Sequence, residues 1–585
     1  MPITFRNHPN APEKTIRVVN LSVMNYDSTF IGKAFSELND VPVQIEVYCA
    51  DSQDLDADEK AFIEFLTAVR RADIVLMRLH GDDTKFKKYH RLKEILDKTE
   101  KDVLYAGSMP ESNEENRYRF KHSDEEYRKA MSYILIGGHD NNASMGLWIC
   151  RTIGGFPEIE VHEPAFSRTE GLYLPWMSED ADPEEYLRGL DRSKPTIGVM
   201  LHNTTLLKER SGAVDDLIED LRRRDVNVVP IFFESAPNPI TGSIGIRKTI
   251  EKYMMLDGKP VMESVIMTLG FSQISLSSPS SGDGEAYNFL GDLDVPIIQA
   301  INVMRPPEDW DEDIIGLSSV EIGVSVIWPE FDGQIISVPL GFTIRDETGK
   351  FETVSVPDRI ERISTLAIAW ANLRRKPPEE RKTVILLNMY PPTNDRVGGA
   401  AGLDTFESIR NCLISMKEKG YVVDHIPENG NEIVNEVLAG VTSDLEWIPE
   451  SEISGRAADL IGIDRYMGWF NSLSSKAREG MVRSWGEPPG IISVHEGKFI
   501  VPGVRNGNVF IGIQPNRGQH EQAETLYHDP RVVMPHQYLA YYRWIRDIFK
   551  ADCVVHMGTH GTLEWLPGKG NGLSRHCYPD VILDT

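Results

Sequence analysis

The stretch ADCVVHMGTHGTLEWLPGKGNGLSRHCYPD, residues 551–580, concentrates side chains that can handle a metal ion or a proton. His556, His560 and Glu564 are spaced i, i+4, i+8, which would put them on one face of a continuous helix. Gly558 and Gly561 interrupt that helix, and DCVVH before them has the apolar character of a strand. The expected arrangement is therefore a strand ending at His556, a tight GTHG turn carrying His560, and a short helix from Thr562 with Glu564 in its first turn. A helix N-terminus favours the ionised carboxylate, which makes Glu564 a good metal donor. Pro567 and Gly568 then end the helix.

A second cluster lies in QPNRGQHEQAETLYHDP, residues 514–530. His520, Glu524 and His528 repeat the i, i+4, i+8 spacing with no internal glycine, so one helix face could carry all three, either as ligands or as a solvated face. The order is not HExxH, which excludes a zinc protease of that type. Arg517 could hold a substrate carboxylate through its two-pronged guanidinium. Seven of the fifteen histidines (His495, His520, His528, His536, His556, His560, His576) fall in the last 91 residues, which points to metal or proton chemistry there. The five cysteines (Cys49, Cys150, Cys412, Cys553, Cys577) are odd in number, widely spaced and without a CxxC pair, so they read as structural thiols in a reducing compartment.

The elements that must position these groups are those of an α/β protein. Apolar runs at 15–23, 43–50, 73–81 and 102–108 read as strands, with a helix over 58–72. A second series has strands at 196–201, 227–233, 264–271 and 295–301 and an amphipathic helix at 213–224. A third has a strand at 383–389, a helix at 405–420 and a strand at 421–426. The expected fold is a multidomain α/β chain of several parallel-sheet units with helices on both faces. Pro- and charge-rich breaks divide it into an N-terminal unit at 1–150, a connector at 151–193, a central unit at 194–375, a third unit at 376–490 and a site-bearing region at 491–585.

Composition narrows the function. With 62 basic and 89 acidic residues the net charge is −27, which argues against a nucleic-acid binder. No apolar run reaches the length of a membrane span, and MPITFRNHPNAPEKT lacks a signal-peptide core, so a cytoplasmic protein is expected. GxxxxGK[ST], GxSxG and GxGxxG are all absent, so this chain should not hydrolyse ATP through a P-loop. The Gly-rich stretches LIGGHDNN and VGGAAGLD read as turns that open helices.

HQYLAYYRWIRDIFKADCVVHMGTHGTLEWLPGKGNGLS resembles the signature region of the large chelatase subunits, the family shared by the cobaltochelatase large subunit and the porphyrin-binding H subunit of magnesium chelatase. PTIGVMLHNTTLL, GLSSVEIGVSVIWPEFDGQI, NMYPPTNDRVGGAAGLDTFES, WGEPPG, GNVFIGIQPNRG and YHDPRVVMPHQYLAYYRW resemble further family segments in the same order. EWLPGK, with Trp565-Leu566, is closer to the cobalt type. The resemblance implies insertion of a divalent metal, Co²⁺ or in the alternative Mg²⁺, into a tetrapyrrole, in cobalamin synthesis or into protoporphyrin IX respectively. It implies an AAA+-type ATPase partner that hydrolyses the ATP, and an adaptor subunit. It places Glu564 and His560 at the catalytic centre, with His556, His560, Glu564 and His536 as metal ligands. Arg517, Lys569 and His528 would meet the macrocycle's periphery, and Trp565 its face. Family members continue beyond this motif, so the chain is expected to be a fragment, a split subunit or a truncated relative, and a tetrapyrrole- or metal-binding module without catalysis is the remaining functional alternative.

Overall fold

The computed structural model describes residues 2–583 apart from 24, 80–85, 99, 108–109, 167, 178–180, 208–209, 239–240, 275–287, 346–350 and 519–528. Its first sheet contains β1 (Ile3–Arg6), β2 (Lys14–Ser22), β3 (Val43–Asp51), β4 (Ile74–Leu79) and β5 (Asp102–Gly107), in the order β1-β3-β2-β4-β5. All neighbours are parallel except β1. Alternation along β2 explains the two-faced packing: Ile16 and Val18 enter one apolar core, Val19 and Leu21 the other. The helix Glu59–Arg71 covers the second face with Phe62, Phe65, Leu66 and Val69, a helical stripe. Its start is fixed by Asp58, whose carboxylate accepts from the Lys60 and Ala61 amides.

The second sheet contains β6 (Gly171–Leu172), β7 (Thr196–His202), β8 (Asn227–Phe233), β11 (Ser264–Met267), β12 (Ile297–Val303), β13 (Ile335–Arg345) and β14 (Phe351–Ser355). A two-stranded hairpin of β9 (Met255–Leu256) and β10 (Lys259–Pro260) lies apart from it. The order is β14-β13-β12-β11-β7-β8-β6, parallel from β13 to β8. In β7, Ile197, Val199 and Leu201 face one core and Met200 the other. The continuous apolar runs of these strands follow from burial on both faces.

The remaining strands are β15 (Thr383–Leu387), β16 (Asp459–Ile461), β17 (Val494–His495), β18 (Lys498–Val501), β19 (Gly503–Asn506), β20 (Val509–Ile513) and β21 (Cys553–Met557). They form a small sheet β16-β18-β17 and a four-stranded sheet β19-β20-β15-β21. The four-stranded sheet takes strands from both the 376–490 and the 491–585 stretches. Again alternate residues serve two cores: Val384 and Leu386 on one face, Ile385 and Leu387 on the other. The fold is multidomain α/β with parallel-containing sheets. Both Gly-rich stretches are helix-opening turns: Gly137-Gly138 precede the helix His139–Thr152, and VGGAAGLD precedes Thr405–Glu418, capped by Asp404.

Residues 421–426, expected as a strand, form none. Both sides of β15 are already taken by β20 and β21, so the segment runs past the β19–β20 turn instead. There the Asn506 side chain accepts from the His425 amide and donates to the His425 carbonyl, while Asn508 N–H donates to the Val422 carbonyl. The expected strand at 264–271 stops at Met267.

The GKGNGL segment straps the site-bearing region to the central unit. The Lys569 ammonium donates to the carbonyls of Trp310 (2.6 Å), Asp311 (2.8 Å) and Asp313 (2.6 Å). Asn571 accepts from the Leu317 amide (2.6 Å), and Trp310 Nε1–H donates to the Gly572 carbonyl (3.0 Å). Gly316 sits at φ +93°, where a Cβ would lie 1.9 Å from the Asn571 oxygen, so no other residue fits there. Replacing Lys569 with Met should lower stability by about 1.5–3 kcal/mol, the usual worth of hydrogen bonds to a charged group. Urea unfolding measures this, and limited proteolysis should cut the 568–573 segment faster than in the parent protein.

Candidate functional site

β15, β20 and β21 run parallel, and their registers end together: Leu387 pairs with Ile513 on one side and Met557 on the other. The next residues, Asn388, Gln514 and Gly558, therefore leave the sheet at one level. Each opens a motif-bearing loop: NMYPPTNDRVGGAAGLD, QPNRG and GTHGTLEW. Ligands of open α/β sheets bind at such carboxyl edges. Two loops are joined directly, since the Ala401 amide donates to Thr559 Oγ1 (2.8 Å).

The strand runs one residue beyond His556, to Met557, and the GTHG turn follows. The short helix does not form. Leu563–Trp565 make a single 3-10 turn of three residues, too short to offer Glu564 a helix dipole. The turn still brings His560 Nδ1 and Glu564 Oε1 to 3.4 Å, both side chains at least half exposed (64% and 50%). An exposed pair of this kind contributes little stability, about 1 kcal/mol at most. It is an open nitrogen–oxygen donor pair.

Beneath it lies a buried polar network that sequence reasoning missed. The Gln514 side chain accepts from the Thr562 amide (2.9 Å) and donates to Tyr542 Oη (3.0 Å), with Tyr538 Oη at 3.4 Å. Tyr538 Oη and Thr562 Oγ1 lie 2.7 Å apart. Burial pushes the Tyr542 phenol well above its ordinary value, so the network is neutral. His556 leans on it: Nδ1 is 3.4 Å from Gln514 Nε2 and Nε2 is 3.3 Å from Tyr542 Oη. His556 is exposed on the edge strand, but both its ring nitrogens face the network, and desolvation by the atoms packed around them lowers its pKa. Gly561 allows this, because a Cβ there would meet His556 Nδ1 at 3.1 Å. The signal in the sequence was the Tyr538/Tyr542 spacing, one helical turn, and a glutamine directly after the apolar run VFIGI.

Other expected ligands are committed elsewhere. His536 is 1% exposed, with Nδ1 2.6 Å from Tyr466 Oη and Nε2 2.9 Å from the Gly486 carbonyl. A carbonyl only accepts, so Nε2 carries the proton and Nδ1 accepts from Tyr466; neither nitrogen is left for a metal. Arg517 is 2% exposed and donates to the Asp529 and Val532 carbonyls (2.7 Å each), so it clamps its own loop rather than a substrate carboxylate. Lys569 is spent on the strap. Trp565 is partly buried in the 3-10 turn. Cys577 is buried, its sulfur accepting from the Lys569 and Ser574 amides, and burial raises the Cys553 thiol, so both are structural. His520, Glu524 and His528 lie outside the described residues. Among the described residues, no cluster of three or more His, Cys, Asp or Glu could hold a metal ion.

The chain matches the CobN/Magnesium Chelatase family model over residues 131–585. The chain belongs to that family. An uncharacterized protein of Methanocaldococcus jannaschii is 33% identical over 97% of this chain and 46% of its own length. The aerobic cobaltochelatase subunit CobN of Pseudomonas aeruginosa is 30% identical over 78% of this chain and 36% of its own. The chloroplastic magnesium-chelatase subunit ChlH of Oryza sativa is 32% identical over 70% of this chain and 28% of its own. The catalytic subunit of cobaltochelatase from Mycobacterium tuberculosis shares the fold, with a TM-score of 0.63 at 24% identity, over 98% of this chain and 45% of that one. The chain thus spans less than half the length of these CobN/Magnesium Chelatase relatives. No helix among the described residues is long and apolar enough to cross a membrane.

His536 gives a pH prediction. Burial lowers its pKa, so the unfolded chain binds this proton more readily than the folded one. Its contribution is complete above the ordinary imidazole value, about 6.5, and is lost as pH falls through the depressed folded value. Stability by urea unfolding should therefore drop below about pH 6.5. His536→Gln should make that acid slope shallower without abolishing it, because burial lowers His556 and His576 in the same direction.

Proposed function

We propose that this chain is part of the large, macrocycle-facing subunit of a metal chelatase, and that the loops after β15, β20 and β21 form the face where a divalent metal enters a tetrapyrrole. The observation that carries this is the His560–Glu564 pair, open to solvent and mounted on a rigid polar network at the carboxyl edge of a parallel sheet. Metal insertion requires replacing water on the ion, presenting it to the ring and removing two pyrrole protons. An imidazole nitrogen beside a carboxylate can do the first two, and the half-exposed carboxylate can accept the two protons in turn, passing the first to solvent before taking the second. The Gln514–Thr562 hydrogen bond fixes the backbone from which Glu564 projects, so the donors are positioned before the metal arrives. His556, with long contacts to Gln514 and Tyr542, is a reserve donor that a small ring rotation would release.

Cobalt is the proposed metal. A mixed imidazole and carboxylate set suits a borderline ion, whereas Mg²⁺ prefers oxygen ligands and keeps its water. Magnesium is the second reading, because CobN and ChlH proteins match at similar identity. In this reading ATP is hydrolysed by a separate AAA+-type partner with an adaptor subunit, since this sequence has no P-loop.

Calorimetric titration with Co²⁺ tests the metal step. Glu564→Gln and His560→Ala should each weaken binding at least about tenfold, equivalent to about 1.4 kcal/mol. Both residues are exposed, so unfolding stability should move by no more than about 0.5 kcal/mol. Co²⁺ affinity unchanged in both variants would remove the pair from the metal site. Cobalt insertion into hydrogenobyrinic acid diamide, assayed with partner subunits supplied, should fall in parallel, and insertion of Mg²⁺ into protoporphyrin instead would favour the second reading.

A further inference from the structure

β21 ends the four-stranded sheet, and its outer edge is open. Its inner side pairs with β15 in an unbroken register, from Cys553 opposite Thr383 to Met557 opposite Leu387. No other described residue is bonded to the backbone of residues 554–557. Peptide groups alternate in direction along a strand, so the outer side of β21 presents amides and carbonyls that no described strand answers. Proteins usually blunt such an edge with a lysine, a proline or a bulge. CVVHM carries none of these.

The side chains of β21 are as uncovered as its backbone. Neighbouring residues of a strand point to opposite faces, and directly paired residues of parallel strands share a face. Val384 therefore shares one face with Phe510 and Val554, and Ile385 shares the other with Ile511 and Val555. Val384 and Phe510 are buried in one core, Ile385 and Ile511 in the other. Val554 and Val555 belong to neither core and are 39% and 37% exposed. Both cores thus extend across β20 and β15 and stop short of β21. β5 is the contrasting case. It too is a parallel strand at the end of its sheet, yet residues 103–107 are all buried, with the helix Asp124–Ile136 packed on them.

We infer that β21 is an inner strand of a larger sheet, and that the strand beside it comes from the portion of a CobN/Magnesium Chelatase subunit outside the stretch shared with this chain. The relatives have such a portion, since this chain spans less than half of their length. The occupant must bring more than one strand. Five paired residues bury far less than the roughly 1,000 Å² of a stable interface, and Val554 and Val555 need cover on both faces. A second copy of this chain, pairing through its own β21, brings another uncovered strand and leaves the valines of both copies exposed. A folded α/β portion with its own helices meets both needs.

The added strand also reaches the candidate site. Gly558 leaves the sheet directly after Met557, and His560 follows in the same turn. Whichever way the new strand runs, one of its ends lies at the level of Met557. A loop of the added portion then stands beside the GTHG turn, as a fourth loop at the carboxyl edge after those of β15, β20 and β21. The inference rests on the sheet edge and on family membership, and not on the metal chemistry.

Hydrogen exchange read by mass spectrometry tests it, on this chain and on the whole Methanocaldococcus jannaschii relative, which carries the additional length. In this chain about half of the amides in the peptide covering residues 553–557 face outward, and these should exchange at least about tenfold faster than those of β15. In the relative, the peptide aligned with β21 should be protected about as well as the one aligned with β15. Comparing the two strands within each protein removes the difference in overall stability. Fast exchange of the β21 peptide in both proteins overturns the proposal. Protection of β21 in this chain alone overturns it as well. Sedimentation of Val555→Lys then separates the causes: a dimer that the substitution dissociates assigns the edge to a second copy, and a monomer throughout assigns it to the chain itself. None of these outcomes bears on the Co²⁺ titration, so the metal reading stands or falls separately.

Discussion

Everything at the His560 site depends on β15 being held between β20 and β21. The three strands are far apart in sequence, and their pairing is entirely non-local. Because Leu387, Ile513 and Met557 share one register level, the loops that follow must emerge together. A slip of one residue in β21 would turn His556 to the opposite face, away from Gln514 and Tyr542. β15 itself is anchored on both faces, since Val384 and Leu386 fill one core and Ile385 and Leu387 the other.

A second constraint ties this sheet to the central unit. The segment after Glu564 runs directly into the strap, where Lys569, Asn571 and Gly572 bond to the 310–317 stretch. Further on, Arg359 and Asp580 form a buried pair at 2.8 Å, with Arg362 reaching the other Asp580 oxygen. Burying such charges is expensive, and the cluster offsets it by giving each a second partner: Asp580 faces two arginines, and Arg359 also pairs with Asp358. These bonds give the 3-10 turn a fixed base on both sides: the Gln514 network before it and the strap after it. The His560–Glu564 pair can then be exposed without being loose.

How much of this was legible in the sequence depends on what kind of information each residue carries. Apolar runs such as TVILL and TIGVML located strands because burial on both faces demands them. The strand carrying His556 was legible from DCVVH, although it ends one residue later, at Met557 before Gly558. The donor pair was legible from spacing, although the turn that joins it is 3-10 and not α-helical. His536, Arg517 and Lys569 were misjudged for one common reason. Residue type shows what a side chain can donate or accept, but its partners here are a tyrosine and backbone carbonyls supplied by distant segments. The same limit hid Gln514 and Tyr542, ordinary residues whose importance lies in who their neighbours are. Residues 421–426 look like a strand by composition and fail to be one because β15 has no vacant side.

The whole-chain charge bears on the exposed pair as well. A chain of net charge −27 attracts divalent cations to its surface, so an exposed imidazole–carboxylate pair is well placed to receive one. In the proposed function exposure also suits the metal, because it must be handed on to the macrocycle.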